Sequence, residues 1–161
     1  MIARLVTHLV GLISDTHGLL RPGVHDALDG VEMILHAGDV GGSSILDELR
    51  VIAPVMAVSG NTDPPGDPDL AEEILLNIGG LKLHVSHGHE VGSPTPARLA
   101  TRYDADVVVY GHTHRQLVTE LDGRLFVNPG AAGAKRFNLK PSVARLTISG
   151  GNAKVEIIEI T

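Results

Sequence analysis

Four apolar runs of strand length, with little alternation, constrain this chain most: Leu9–Ser14, Val31–Ala37, Val55–Ser59 and Asp106–Tyr110. A strand without a polar face must be covered on both sides, as in sheets whose parallel strands are joined by crossover helices. The intervening segments supply those helices. Pro22–Leu28 reads as a short helix. Ser44, followed three residues on by Asp47, resembles a helix start, with Ile45, Leu46, Leu49 and Ile52 on one face. Thr95-Pro96 gives an N-cap and a first-turn proline for a helix over Pro96–Tyr103. Three hairpins are marked by Gly79-Gly80, Asp122-Gly123 and Gly150-Gly151-Asn152. The segment Asp63–Asp69, rich in Pro, Gly and Asp, fits only an exposed loop at the rim of a site. The predicted order is β-α-β-α-β, a hairpin, α-β and two more hairpins. About nine strands suit two sheets within one domain spanning residues 1–161.

Composition narrows the function. Apolar residues make up 43% of 161 residues, enough for a packed core. No apolar run approaches the roughly 20 residues of a membrane-spanning helix, and Met1-Ile2-Ala3-Arg4 leads straight into a core strand rather than a secretory leader. The chain has no cysteine. Disulfides, thiolate metal sites and cysteine nucleophiles are thereby excluded, and a cytoplasmic location is expected. A net charge of -6 and only two Tyr, two Phe and no Trp exclude a general nucleic-acid binder. Affinity for phosphate would need a local cationic feature, and a bound metal is one.

Five predicted strands end in a residue able to bind metal: Asp15, Asp39, Asn61, His87 and His112. The preference of Asp and Asn for turns accounts for part of this coincidence. Ligands of open α/β sheets sit beyond the carboxyl ends of the strands, so these side chains should converge. His17 and His114 add imidazoles two residues after Asp15 and His112, a spacing at which both side chains of an extended turn can reach one ion. Carboxylate, imidazole and amide donors suit Mn, Fe, Co, Ni or Zn better than a calcium cage. Seven donors exceed one ion's needs. If Asp39 bridges two ions, each receives four protein ligands and keeps room for water and substrate. Elsewhere, His36 lies in an apolar run and reads as a core histidine bonded to backbone. Asp63 is a candidate for orienting a ligand, while Arg115, Lys135 and Arg136 read as solvated surface.

The blocks Gly11-Leu12-Ile13-Ser14-Asp15-Thr16-His17-Gly18, Gly38-Asp39, Gly60-Asn61, His87-Gly88-His89 and Gly111-His112-Thr113-His114, in this order, resemble the calcineurin-like metallophosphoesterase superfamily. The likeness is greatest to its small single-domain bacterial and archaeal phosphodiesterases. It implies an α/β four-layer α/β/β/α sandwich of two mixed sheets. It also implies a dinuclear centre, with one ion on Asp15, His17, Asp39 and His114 and the other on Asp39, Asn61, His87 and His112. A hydroxide bridging the ions would attack phosphorus. Mn is the expected metal, with Fe, Ni, Co and Zn as alternatives. The resemblance assigns His89 as phosphate contact or general acid, and Asn61, His89 and Gly130 as substrate contacts. Thr62 stands where many members have His, and Ala131 replaces the usual Ser after Asn128-Pro129-Gly130. The implied substrate is a small phosphodiester. Alternatives are phosphomonoester hydrolysis, or a non-catalytic interaction module like the protein-binding subunit of a eukaryotic sorting complex; association into a homo-oligomer is left open.

Overall fold

The computed structural model describes residues 6–136 and 138–161. Among the described residues ten strands form, as many as the predicted element order contains. In chain order they are β1 (Thr7–Ile13), β2 (Met33–His36), β3 (Val55–Ala57), β4 (Ile74–Ile78), β5 (Leu81–Val85), β6 (Val107–Val109), β7 (Leu117–Leu121), β8 (Arg124–Asn128), β9 (Ser142–Ser149) and β10 (Asn152–Glu159). The helices are α1 (Gly23–Ala27), α2 (Ser43–Ile52) and α3 (Pro96–Arg102), with a 3₁₀ turn at His89–Val91. One sheet runs β10-β9-β1-β2-β3 and the other β4-β5-β6-β8-β7. Both are mixed: β1, β2 and β3 are parallel, as are β5, β6 and β8, while the hairpin partners run antiparallel.

Burial explains the stacking. Val10, Leu12, Leu35 and Leu146 of the first sheet meet Leu83, Val85, Val107, Val109 and Val127 of the second in a common core. Val24 and Leu28 on and beside α1, and Ile45, Leu46 and Leu49 of α2, cover the outer face of the first sheet over Ile13 and Ile34. Leu99 of α3 covers the second over Val108, Tyr110 and Phe126. The result is the four-layer α/β/β/α sandwich. Each such side chain removed from water contributes about 1.5–3 kcal/mol. This explains why the parallel strands lack a polar face. Among the described residues no helix is long and apolar enough to cross a membrane.

Local details follow turn chemistry, with two corrections. Thr95 caps α3 as expected, its hydroxyl accepting the Arg98 N–H at 3.2 Å. The helix expected to start at Ser44 instead starts at Ser43 behind Gly42, whose φ of 123° serves as an N-cap without any side-chain acceptor. Asp47 does not cap; its carboxylate pairs with Arg50 at 3.0 Å. The segment Pro22–Leu28 yields only the single-turn α1, because Pro22 and Leu28 flank it as caps.

Register places the site. Ile13, His36 and Ala57 pair level across β1, β2 and β3, and Val85, Val109 and Val127 across β5, β6 and β8. The loops leaving those ends emerge on one edge of the sandwich, within a few residues of the seven expected donors.

Candidate metal centre

Each carboxylate at this edge commits one oxygen to the protein and turns the other into the cleft. Asp15 Oδ2 accepts the Ser14 hydroxyl at 2.6 Å and the His112 N–H at 3.1 Å. Asp15 Oδ1 is buried without a hydrogen bond and faces Nε2 of His114 at 3.3 Å, of His17 at 3.7 Å and of His87 at 3.9 Å. Asp39 Oδ1 accepts the Thr62 N–H at 2.9 Å, and Oδ2 lies 3.1 Å from His87 Nε2 and 3.6 Å from His17 Nε2. A buried acceptor facing several nitrogens without a well-formed bond is what a cation would satisfy.

The imidazoles are oriented to the same end. His87 donates Nδ1–H to the Ala37 carbonyl at 2.8 Å, which leaves the Nε2 lone pair toward Asp39 and toward Asn61 Oδ1, 3.1 Å away. His112 Nδ1 reaches the same amide oxygen at 3.2 Å. Nε2 of His17 and His114 stand 3.3 Å apart. Two triads result, Asp15-His17-His114 and Asp39-His87-His112, each with donor atoms within 4.8 Å of one another. Ligands tetrahedral about a first-row ion at ~2.1 Å stand about 3.4 Å apart, close to the spacings here. The donor set therefore fits divalent cations, with Asp15, His17 and His114 offering one group of donors and Asp39, His87 and His112 the other.

The backbone is bent to make this possible. Seven non-glycine residues have positive φ among those described, and five are donors: Asp15 (53°), His17 (47°), Asp39 (54°), His112 (74°) and His114 (64°). Left-handed backbone is costly for residues with a side chain and concentrates at functional sites. The surroundings hold it. Gly38 N–H donates to Nδ1 of buried His36, so Nε2 carries the proton and donates to Thr16 Oγ1 at 3.0 Å; Thr16 in turn donates to the Val40 carbonyl. His36 is thus the expected core histidine, and it clamps the Asp15–His17 loop to the Asp39 loop. Asp63 accepts the N–H groups of Val40, Gly41 and Gly60, joining the loops that carry Asp39 and Asn61. Two glycines are required by close approach: a methyl at Gly60 would overlap Asp39 Oδ1, and one at Gly111 would overlap Asp15 Oδ2 and Ser14 Oγ.

Charges are strongly coupled. Burial pushes the Asp15 carboxyl up, but the imidazoles of His114, His17 and His87 with the Ser14 hydroxyl outweigh it and hold Asp15 well below the usual carboxylate range. Burial likewise opposes ionisation of Asp39, yet His87 and the Thr62 N–H bring it to about 2. The Asp15 carboxylate raises His17, and Asp39 and Asp15 raise His87 against the effect of its burial. Burial and the neighbouring His87 lower His112, and burial lowers His36 to about 4.

All seven expected metal donors meet at this edge. His89 is exposed on the rim, its ring 5.3 Å from that of His87 and 6.3 Å from that of His112. A cavity of about 960 Å³ opens beside Asn61 and His89, walled by the Asp63–Asp69 loop, Glu72, Glu90 and Tyr103. Gly130, an expected substrate contact, is buried, and its N–H donates to Asn128 Oδ1 at 2.9 Å. Asn128 itself carries a function the residue pattern did not assign. Its amide donates to the Gly111 carbonyl and to Thr113 Oγ1, fixing the turn that bears His112 and His114. Its place at the end of β8 was the available signal.

Two mixed sheets, outer helices and paired Asp/His donor sets at the carboxyl ends of parallel strands define a protein of the metallophosphoesterase class. The calcineurin-like phosphoesterase superfamily domain matches residues 9–151. A probable metallophosphoesterase of Methanothermobacter thermautotrophicus is 37% identical over 158 residues, covering 93% of this chain and 91% of its own. A phosphodiesterase of Methanocaldococcus jannaschii is 33% identical, covering 75% and 82%. The solved structure of vacuolar protein sorting 29 from Cryptosporidium parvum superposes with a TM-score of 0.81 at 27% identity, covering 96% and 98%. This chain belongs to the calcineurin-like phosphoesterase superfamily.

Proposed function

We propose that this protein is a phosphodiesterase that works with two divalent cations, Mn foremost, on a small phosphodiester. The observation that carries this reading is the position of Asp39 Oδ2, within 3.1 Å of His87 Nε2 and 3.6 Å of His17 Nε2, where one carboxylate serves both donor sets. Asp15, His17, Asp39 and His114 would hold one ion, and Asp39, Asn61, His87 and His112 the other. Such a pair, when bound, neutralises phosphoryl oxygens and supplies a water acidic enough to attack phosphorus at neutral pH. The chain's own residues do the remainder. Hydrogen bonds from the Ser14 hydroxyl and the Thr62 N–H, and from His87 to the Ala37 carbonyl, fix the metal-binding atoms before substrate arrives, which is the preorganisation that transition-state stabilisation needs. His89, on the rim, gives a proton to the departing alkoxide, and the cavity beside it receives one ester arm. At the position where many relatives have His, Thr62 gives its N–H to Asp39, so a second imidazole for a dianionic monoester is lacking; this favours diesters.

Likeness to vacuolar protein sorting 29 favours a second reading, a non-catalytic interaction module. The complete donor set weighs against it. One experiment decides. Chelator-stripped protein is reloaded with Mn and assayed on bis(4-nitrophenyl) phosphate and 4-nitrophenyl phosphate. Activity that disappears with metal, returns with it and is greater on the diester supports the proposal. Hydrolysis unaffected by stripping refutes it, and metal binding without hydrolysis of either ester favours the module.

A further inference from the structure

Outside the donor sets, one half-buried polar chain, on the wall of the cavity, reaches the rim histidine. Glu90 follows His89 in the 3₁₀ turn, and its carboxylate divides its two oxygens. Oε1 accepts the N–H of Gly88 at 3.0 Å and lies 3.9 Å from His89 Nδ1, while Oε2 accepts the hydroxyl of Tyr103 at 2.8 Å. Tyr103 stands just beyond the end of α3 and is itself held. Its ring stacks on His84 with centroids 3.7 Å apart, and Arg124 donates to its carbonyl at 2.6 Å. His84 is tied to Glu73 at 2.7 Å. The turn it supports is short and left-handed at its start, Gly88 having φ of 100°, and it closes by the Gly92 N–H on the His89 carbonyl.

His87 and His89 flank Gly88 but are secured independently. His87 has its own tether, the Ala37 carbonyl behind the metal centre. His89 has none among the described residues, and its placement depends on the turn that Glu90 braces. We infer that Glu90 and Tyr103 are positioning residues for His89, setting the imidazole over the leaving oxygen without contributing to metal retention. This rests on the reading of His89 as the proton donor. As a water oxygen bonds to phosphorus, its proton passing to solvent, the ester phosphorus–oxygen bond breaks; the electron pair of the broken bond stays on the leaving oxygen, which takes the His89 proton, and a mobile imidazole delivers it poorly. Phenols that leave readily as anions need little of this help, and poor leaving groups need most.

The test uses the Mn-loaded protein and methyl aryl phosphate diesters with leaving groups from 4-nitrophenol to phenol, comparing wild type, Glu90→Gln, Tyr103→Phe and His89→Ala. Bound metal is counted in each. The His89 ring signal is also followed by NMR in metal-free Tyr103→Phe, a variant that removes one hydroxyl and keeps the stacked ring. Expected are unchanged metal content, a displaced His89 signal with His36 unmoved, and a loss of about tenfold on the phenol ester that shrinks steadily toward 4-nitrophenol, in the direction of His89→Ala. If His89→Ala steepens the leaving-group dependence but Glu90→Gln and Tyr103→Phe do not, the positioning role is overturned while His89 stands. If His89→Ala leaves the dependence unchanged, the proton-donor reading falls first. Metal loss in Glu90→Gln and Tyr103→Phe would make them structural and also overturn the inference.

Discussion

The Thr62 N–H donates to Asp39 Oδ1 across 2.9 Å, and that bond decides which carboxylate oxygen points into the cleft. With Oδ1 held, Oδ2 is the atom that faces His87 and His17 together. Asp39→Asn keeps the shape but removes the charge that, on the proposed function, two cations would share. Losing a partner that merely orients a ligand costs about 10–100-fold, so losing this donor costs more. Metal analysis should find at most one Mn per chain, and kcat/KM on bis(4-nitrophenyl) phosphate should fall by more than about 100-fold. Two ions retained with wild-type turnover would show that Asp39 is no bridge.

Asp63 joins the loops of Asp39 and Asn61 by accepting three backbone N–H groups. Asp63→Ala strands those donors. At about 1–3 kcal/mol for each buried unpaired group, partly relieved by water, the variant should lose roughly 3 kcal/mol by urea titration. Its Mn affinity should drop about 10–100-fold as the loops separate. Asp63→Asn, with one carbonyl oxygen left, should fall between. Full affinity in the alanine variant would mean that the loops hold themselves.

The layers and the donors were legible in the sequence for physical reasons. Unalternating runs such as Leu9–Ser14 had to be buried on both faces, and Gly79-Gly80 or Asp122-Gly123 could close hairpins with positive φ, as they do. Five donors followed strand ends that register then brought level, with His17 and His114 two residues beyond Asp15 and His112. What stayed hidden depended on backbone direction. No residue pattern announces that His112 N–H would turn to Asp15 Oδ2, or that Gly130 N–H would be consumed by Asn128 two residues before it. The start of α2 was misread because Ser44 and Asp47 fit a capping pattern, whereas Gly42 took the position through a conformation only glycine adopts easily. Glu90 and Tyr103 are 13 residues apart and gave no motif; only the packing of α3 against the second sheet unites them.

Acid should unfold the metal-free protein partly through His36. Burial lowers this imidazole to about 4, against 6.5 when exposed. A depressed histidine binds fewer protons folded than unfolded, so its contribution is complete above 6.5 and is lost as pH falls from 6.5 to about 4. The loss is on the order of 3 kcal/mol. His36→Gln can still bond Thr16 but does not titrate. Its stability, lower than wild type at pH 7, should show a flatter decline between pH 6.5 and 4 in urea titrations. Parallel declines in the two proteins would assign the acid sensitivity elsewhere.

Metal binding should be proton-coupled in the opposite window. Asp15 and Asp39 hold His17 and His87 protonated to higher pH than a free imidazole, whereas His112 is shifted the other way. A cation needs the neutral Nε2 of His17 and His87, so it must displace their protons. Affinity for Mn should therefore rise with pH above 6.5 and level off once both rings are neutral. The same shifts stabilise the metal-free protein below 6.5, and that stability is lost as pH rises through the raised values. Calorimetric titration with Mn in two buffers of different ionisation enthalpy should detect protons released at pH 6.5 and far fewer at pH 8.5. Equal release at both values, or affinity independent of pH across this range, would place the competing protons on other groups.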